Sequence, residues 1–217
     1  MANQLSVWCV GLFLVLASAG GCHPKPVLAP PPPPAAPPPP PPPPPPKCEA
    51  LSESCIAAEG TALAIGDQGV IIEPPAGWKY AKLSDRSVAV SAEGKSLITA
   101  VEIATGTDAA VLDSLEKLTL ATGIEKVKLD ALKKRFKKPQ ITVDANGTPV
   151  DLWEISKTTS NGVNPELRET GVGTLLVFVA RLAPDHVITG LGFVVVPEAE
   201  ADAEKVMHAV QTLKGKP

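Results

Sequence analysis

Ten consecutive prolines, Pro37–Pro46, constrain this chain more than any other feature. Residues 23–47 hold 17 prolines and no acidic residue. Proline fixes φ and has no N–H, so this segment forms neither helix nor sheet and adopts extended polyproline II. At about 3.1 Å per residue, its reach is roughly 75–80 Å as a semi-rigid spacer. Domains that read proline-rich ligands need flanking specificity residues, which the run does not supply, so a spacer is the expectation. Folding must then be sought on either side of it.

Before the spacer, Leu5–Ala19 is uncharged and rich in Leu and Val, with Trp8 and Phe13. It is shorter than the roughly 20 residues that span a bilayer and fits the apolar region of a signal peptide. The small residues Ala17-Ser18-Ala19-Gly20-Gly21 lead directly to Cys22. Apolar leader, small residues, one cysteine and a structureless tether together resemble a bacterial lipoprotein. The resemblance implies cleavage before Cys22 and acylation of Cys22. It also implies membrane attachment through that lipid, with the rest of the chain facing the periplasm or cell surface of a bacterial envelope. Stable anchoring takes more than one acyl chain, each buried methylene contributing roughly 0.8 kcal/mol. Under enterobacterial sorting, His23 after the cysteine favours the outer membrane. The expected organisation is a signal peptide over 1–21, an anchor and tether over 22–47, and a globular domain over 48–217.

That domain is long enough for a real core. It carries 18 Lys or Arg against 23 Asp or Glu, a balance that gives no support to general nucleic-acid binding. With Cys9 in the leader and Cys22 at the anchor, Cys48 and Cys55 remain, and in an oxidising compartment they are expected to pair. Residues seven apart on a continuous helix lie about 10.5 Å apart, beyond the roughly 7 Å limit for bridged Cα atoms. A bridged 48–55 must therefore be a loop or a broken turn.

Gly69–Glu73 reads as a short strand stopped by Pro74-Pro75, with Gly77-Trp78 following in a turn. Ser87–Ala92 and Ser96–Ala104 read as a hairpin around Glu93-Gly94-Lys95. Asp108 is placed as the N-cap of a helix through Thr122, with Val111, Leu112, Leu115 and Leu118 on one face and Gly123 ending it. Asn146-Gly147 is the strongest short hairpin signal, joining Ile141–Ala145 to Pro149–Ser156; Pro149 restricts itself to an edge or a strand start. The same Asn-Gly-Thr matches a glycosylation acceptor, but turn chemistry accounts for it. Gly171-Val172-Gly173 precedes a strand and reads as a turn rather than a phosphate cradle. Gly173–Leu182 and Val187–Val196, straddling Pro184-Asp185, read as central strands buried on both faces. A closing helix is expected from Pro197 to about Leu213, with Ala199, Ala203, Val206, Met207, Val210 and Leu213 as its buried stripe.

These elements give a single α+β domain, mainly an antiparallel sheet flanked by helices. The order of an early strand, Pro74-Pro75 with Gly77-Trp78, a hairpin, a helix, then long strands into a C-terminal helix resembles the PsbP-like and DcrB-like group of α/β/α sandwiches. The likeness covers most of 60–217. It implies Trp78 as a packing residue near the sheet and a binding or assembly role without shared catalytic residues.

Chemical motifs are sparse. His23, His186 and His208 are dispersed without ligand spacing, so no metal is expected. There is no P-loop and no Gly-x-Ser-x-Gly, and no cofactor or catalytic residue is implied. One stretch departs from the acidic average: Lys126, Lys128, Lys133, Lys134, Arg135, Lys137 and Lys138 face only Glu125 and Asp130 within 125–138. As a helix it would carry Leu129, Leu132 and Phe136 as a narrow apolar stripe. It reads either as a docking patch for an anionic partner (lipid headgroups, cell-wall polymer or an acidic protein face) or as a solvated face balanced by the domain's own acids. The function expected is non-enzymatic: a tethered domain that binds or scaffolds another envelope component. The alternatives are an envelope hydrolase with a site assembled from dispersed Ser, Asp and Glu, or a carrier of lipid or client protein. A carrier requires an apolar groove between sheet and helix.

Overall fold

The computed structural model describes residues 47–124, 127–161, 170–197 and 199–215. The leader, Cys22 and the proline tether lie outside them, as does Lys126. Within them run β1 (Leu63–Ile65), β2 (Val70–Ile72), β3 (Lys79–Lys82), β4 (Ser87–Val90), β5 (Ser96–Ile103), α1 (Asp108–Thr122), α2 (Val127–Lys133), β6 (Ile141–Ala145), β7 (Thr148–Asn161), β8 (Thr170–Ala183), β9 (His186–Val195) and α3 (Asp202–Gln211). Strands β3 to β9 form one seven-stranded antiparallel sheet in the order β3-β4-β5-β9-β8-β7-β6. β1 and β2 form a separate ribbon. This is an α+β domain built on one large antiparallel sheet, as expected.

The apolar runs of β8 and β9 explain the layering, because a strand buried on both faces has no polar alternation to keep. In β9, Val187, Leu191 and Phe193 pack with α1 and α2, whereas Ile188 and Val194 pack with α3, the β1–β2 ribbon and Trp78. Adjacent β8 splits likewise, Leu175, Val177 and Val179 to the first face and Phe178 and Ala180 to the second. The sheet therefore lies between an α1–α2 layer and a layer made of α3 and the ribbon. Trp78 is 3% exposed and is a packing residue beside the sheet.

Four local expectations are corrected. Thr107, not Asp108, caps α1: its backbone is extended and its hydroxyl accepts from the Ala110 N–H at 3.4 Å. Asp108 becomes the first helical residue, where its charge still suits the positive helix end. Gly123 closes the helix at φ 70°, a left-handed conformation that glycine adopts without steric penalty. Secondly, α3 begins at Asp202, not Pro197; the described residues before it, 196, 197 and 199–201, lie in turns, with Ala199 N–H bonding Val195 O and Asp202 N–H bonding Ala199 O. The later start rotates the stripe, so Ala203 is exposed and Met207 only partly buried, with Val206, Ala209 and Val210 inside. Thirdly, Gly171-Val172-Gly173 lies within β8 rather than in a turn. Fourthly, the three-residue β1 and the Lys-Tyr-Ala-Lys strand β3 were not expected at all.

The Asn146-Gly147 turn forms as anticipated, with φ of 52° and 84°, joining β6 to β7 as an antiparallel pair with Ala145 opposite Thr148. Asn146 does more than turn the chain. Its side-chain amide lies 3.3–3.4 Å from the carbonyls of Gln211, Thr212 and Leu213, which sit at the C-terminal end of α3. Pro149 sits second in β7, at its start.

Cys48 and Cys55 are disulfide-bonded with Cα atoms 5.7 Å apart, across a non-helical loop. That loop runs along the outer side of β3: Tyr80 N–H bonds Cys55 O at 2.9 Å and Lys82 N–H bonds Cys48 O at 2.8 Å. A sheet edge left open is a template for unwanted pairing, and here the bridged loop occupies it. Closing so short a loop contributes about 2.5 kcal/mol in the chain-entropy model. Changing both cysteines to Ser should lower the melting temperature by about 5–10 °C, read by thermal denaturation under oxidising conditions. An unchanged melting temperature would mean the bridge adds nothing to the folded state.

Candidate functional site

The basic stretch folds as a short helix followed by tight turns. Helix α2 ends at Lys133, and the chain then turns through residues 134–138. Arg135 N–H bonds Leu132 O at 2.8 Å, and Lys138 N–H bonds Arg135 O at 2.9 Å. A helix over all of 125–138 is thus not formed. Continuing it would stack Lys133 on Lys137 and Lys134 on Lys138 at i,i+4, which is repulsive, and Lys138 precedes Pro139, which disfavours helical backbone.

The apolar stripe does bury as expected: Leu129, Leu132 and Phe136 join the core beneath α1 and α2. Phe136 stacks on Trp153 of β7, ring centroids 4.8 Å apart and planes 14° from parallel. Trp153 is 2% exposed and its indole N–H donates to Lys138 O at 3.2 Å. One tryptophan thereby holds the turn at two points, through the ring of Phe136 and the carbonyl of Lys138. Gln140 adds a third, since its backbone N–H bonds Leu152 O at 3.0 Å and its side-chain carbonyl accepts from Glu154 N–H.

The expected cations divide into three groups. Lys126 lies outside the described residues, as does the side chain of Lys128. Lys133 is engaged: its ammonium bonds Asp130 at 3.0 Å and lies 3.9 Å from Glu116, and the hydrogen bond to Asp130 holds its pKa above the usual lysine value. Lys134, Arg135, Lys137 and Lys138 are exposed, and among the described residues none of the four forms an ion pair. Four cations on five consecutive residues, mounted on a buried aromatic stack, make a fixed basic knuckle. Beside it a cleft of about 380 Å³ opens between α2 and β7, lined by Ala131, Arg135, Gln140, Trp153, Glu154 and Ser156 among others.

The sequence pointed to the cations and to Phe136, but not to Trp153 or Gln140. Nothing in a linear pattern links Phe136 to a residue in another element 17 positions on. Elsewhere, among the described residues, no three of His, Cys, Asp and Glu converge as a metal ligand set. No described helix is long and apolar enough to cross a membrane. Compared with known proteins, the chain matches no family model and no curated protein.

Proposed function

We propose that this protein is a membrane-anchored bacterial envelope lipoprotein, held by lipid on Cys22, whose tethered domain docks an anionic envelope component. The docking element is the knuckle of Lys134, Arg135, Lys137 and Lys138, and the role is binding or scaffolding rather than catalysis. One observation carries the reading: four unpaired, exposed cations (within the described residues) stand on a segment immobilised by the Phe136–Trp153 stack. A charged surface that is merely solvated needs no such mounting, whereas a recognition surface benefits from fixed geometry, which lowers the ordering cost on binding. The seven-stranded sheet between helical layers, with Trp78 packed beside it, supports placing the domain with the PsbP-like and DcrB-like sandwiches.

Exposed cations near an anionic surface contribute roughly 1 kcal/mol each. Reversing all four to Glu should therefore weaken binding of the full chain to phosphatidylglycerol vesicles or immobilised polyglutamate by more than about tenfold at low salt. Added salt should erode the native affinity. Equal retention of native and reversed chains would overturn the docking role of the knuckle.

A further inference from the structure

The sheet treats its two edges differently. Along β3 the bridged loop supplies carbonyls to Tyr80 and Lys82 and closes the edge. At the opposite edge lies β6, and among the described residues no backbone group outside β7 bonds residues 141–145. The turn at its end tells which groups are left over. A two-residue turn closes on a hydrogen-bonded pair, here Ala145 with Thr148. Bonded and non-bonded pairs alternate from there, which makes Asp144–Pro149 and Thr142–Asp151 the non-bonded pairs. Pro149, having no N–H, suits a position that needs none. The N–H and C=O of Thr142 and Asp144 therefore point away from β7, toward the open edge.

Ile141, Thr142 and Asp144 are all exposed. A strand this short, carrying a carboxylate, does not invite indiscriminate pairing, so a partner that settles here must bring matching chemistry. That chemistry is set by what lies in line with β6. Gln140 is held beside β7 by its N–H on Leu152 O and by its side-chain carbonyl, which accepts from Glu154 N–H. Residues 138–140 thus continue the line of β6 past Ile141. The exposed Lys137 and Lys138 stand at that end of the edge, and Asp144 stands at the other. A strand laid along β6 would meet cations at one end and a carboxylate at the other.

We infer that β6 and the knuckle together take an extended acidic segment of a partner protein, added to the sheet as a further strand. The backbone of the segment bonds Thr142 and Asp144, and its acidic side chains lie on Lys137 and Lys138, away from Asp144. Lipid headgroups and glycan polymers match the charge but offer no regular ladder of N–H and C=O groups to the edge. Strand addition rests on the docking role of the knuckle and adds the class of partner.

The test uses the full chain and a dye-labelled synthetic peptide in which a run of glutamates leads into alternating threonine and valine. Native chain should bind it saturably at low salt, and the amide protons of Thr142 and Asp144 should exchange more slowly in the complex. Backbone N-methylation throughout the threonine–valine part keeps every charge and should weaken binding more than about fivefold. Thr142→Pro removes one outward N–H and alters no charge, and proline is tolerated on an edge strand. It should weaken peptide binding more than about threefold and leave the binding of phosphatidylglycerol vesicles unchanged. Reversing Lys134, Arg135, Lys137 and Lys138 to Glu should weaken both probes. If charge reversal weakens neither, the docking role itself is overturned. Weakening by charge reversal with full binding of the N-methylated peptide, or with no protection of the two amides, overturns strand addition alone. Vesicle binding without peptide binding also overturns it and makes lipid the partner.

Discussion

Replacing Trp153 with Ala is expected to destabilise the domain by about 3–5 kcal/mol, the range for deleting a fully buried large aromatic. For a chain of this size that is a fall in melting temperature of roughly 6–20 °C. Three losses combine. The core beneath α1 and α2 gains a cavity, Phe136 loses the ring it stacks on at 4.8 Å, and Lys138 O loses its indole donor. Trp153→Phe separates these terms. It keeps an aromatic partner for Phe136 but drops the hydrogen bond, and should cost about 1–2 kcal/mol. If the stack mounts the knuckle as argued, Trp153→Ala should also weaken anionic binding at a temperature where the variant is still folded, although no charge is altered. Thermal melts paired with vesicle binding decide it. A Trp153→Ala chain with native affinity would show that the cations work without their mounting.

A second large effect is expected at Gly173. It lies in β8 between β7 and β9, paired with Thr158 on one side and Val195 on the other. A Cβ built there would sit 2.1 Å from Val194 O and 2.8 Å from the Phe193 ring. The first contact is backbone, so no rotamer change relieves it; β8 and β9 would have to separate where their pairing begins. Gly173→Ala should therefore cost at least about 3 kcal/mol, beyond ordinary overpacking. Gly190 provides a graded comparison, because its Cβ would meet the Phe178 ring at 2.0 Å. That ring is fully buried but is a side chain, and it can shift where a backbone carbonyl cannot. Denaturant unfolding of both variants should rank Gly173→Ala as the more damaging. A Gly173→Ala domain as stable as the native one would mean the strands are not as close as described.

The parts of the fold legible in the sequence are those with strong local signals. The continuous apolar runs of β8 and β9, the Asn146-Gly147 turn and the α1 stripe with Gly123 at its end each declare themselves within a few residues. Other elements do not. Leu63–Ile65 is three residues long, and Lys79–Lys82 reads as polar; both exist because neighbouring strands and the bridged 48–57 loop supply partners. Thr107 and Asp108 are adjacent residues that can both cap a helix, and sequence alone does not rank them. Pro197 satisfies the rule for a helix start, yet the chain uses turns there and begins α3 five residues later. Glycines in a turn and glycines forced by close strand packing look identical in sequence, which is why Gly171-Val172-Gly173 reads as a turn although it lies in β8.

The candidate site divides in the same way. Clustered lysines are visible as composition, and the burial of Leu129, Leu132 and Phe136 follows from their spacing. What makes the cluster a fixed surface is Trp153, brought from β7 by the tertiary fold, and that is invisible along the chain. A cleft of about 540 Å³ between α1 and β5 is a still less local property, arising because β5 runs on past the start of β4 to Ile103 and α1 faces that overhang with Ala110, Ser114 and Ala121.

The central claim, that the domain docks an envelope partner through the knuckle, is tested most directly by site-specific photo-crosslinking in cells. A photoreactive amino acid would replace Lys137 on the knuckle or, in a parallel strain, Lys205 on α3, which packs on the other face of the sheet. The account predicts a discrete adduct from position 137 and not from 205, lost when Lys134, Arg135 and Lys138 are changed to Glu. An adduct from 205 alone, or one at 137 that survives the charge reversal, would contradict it.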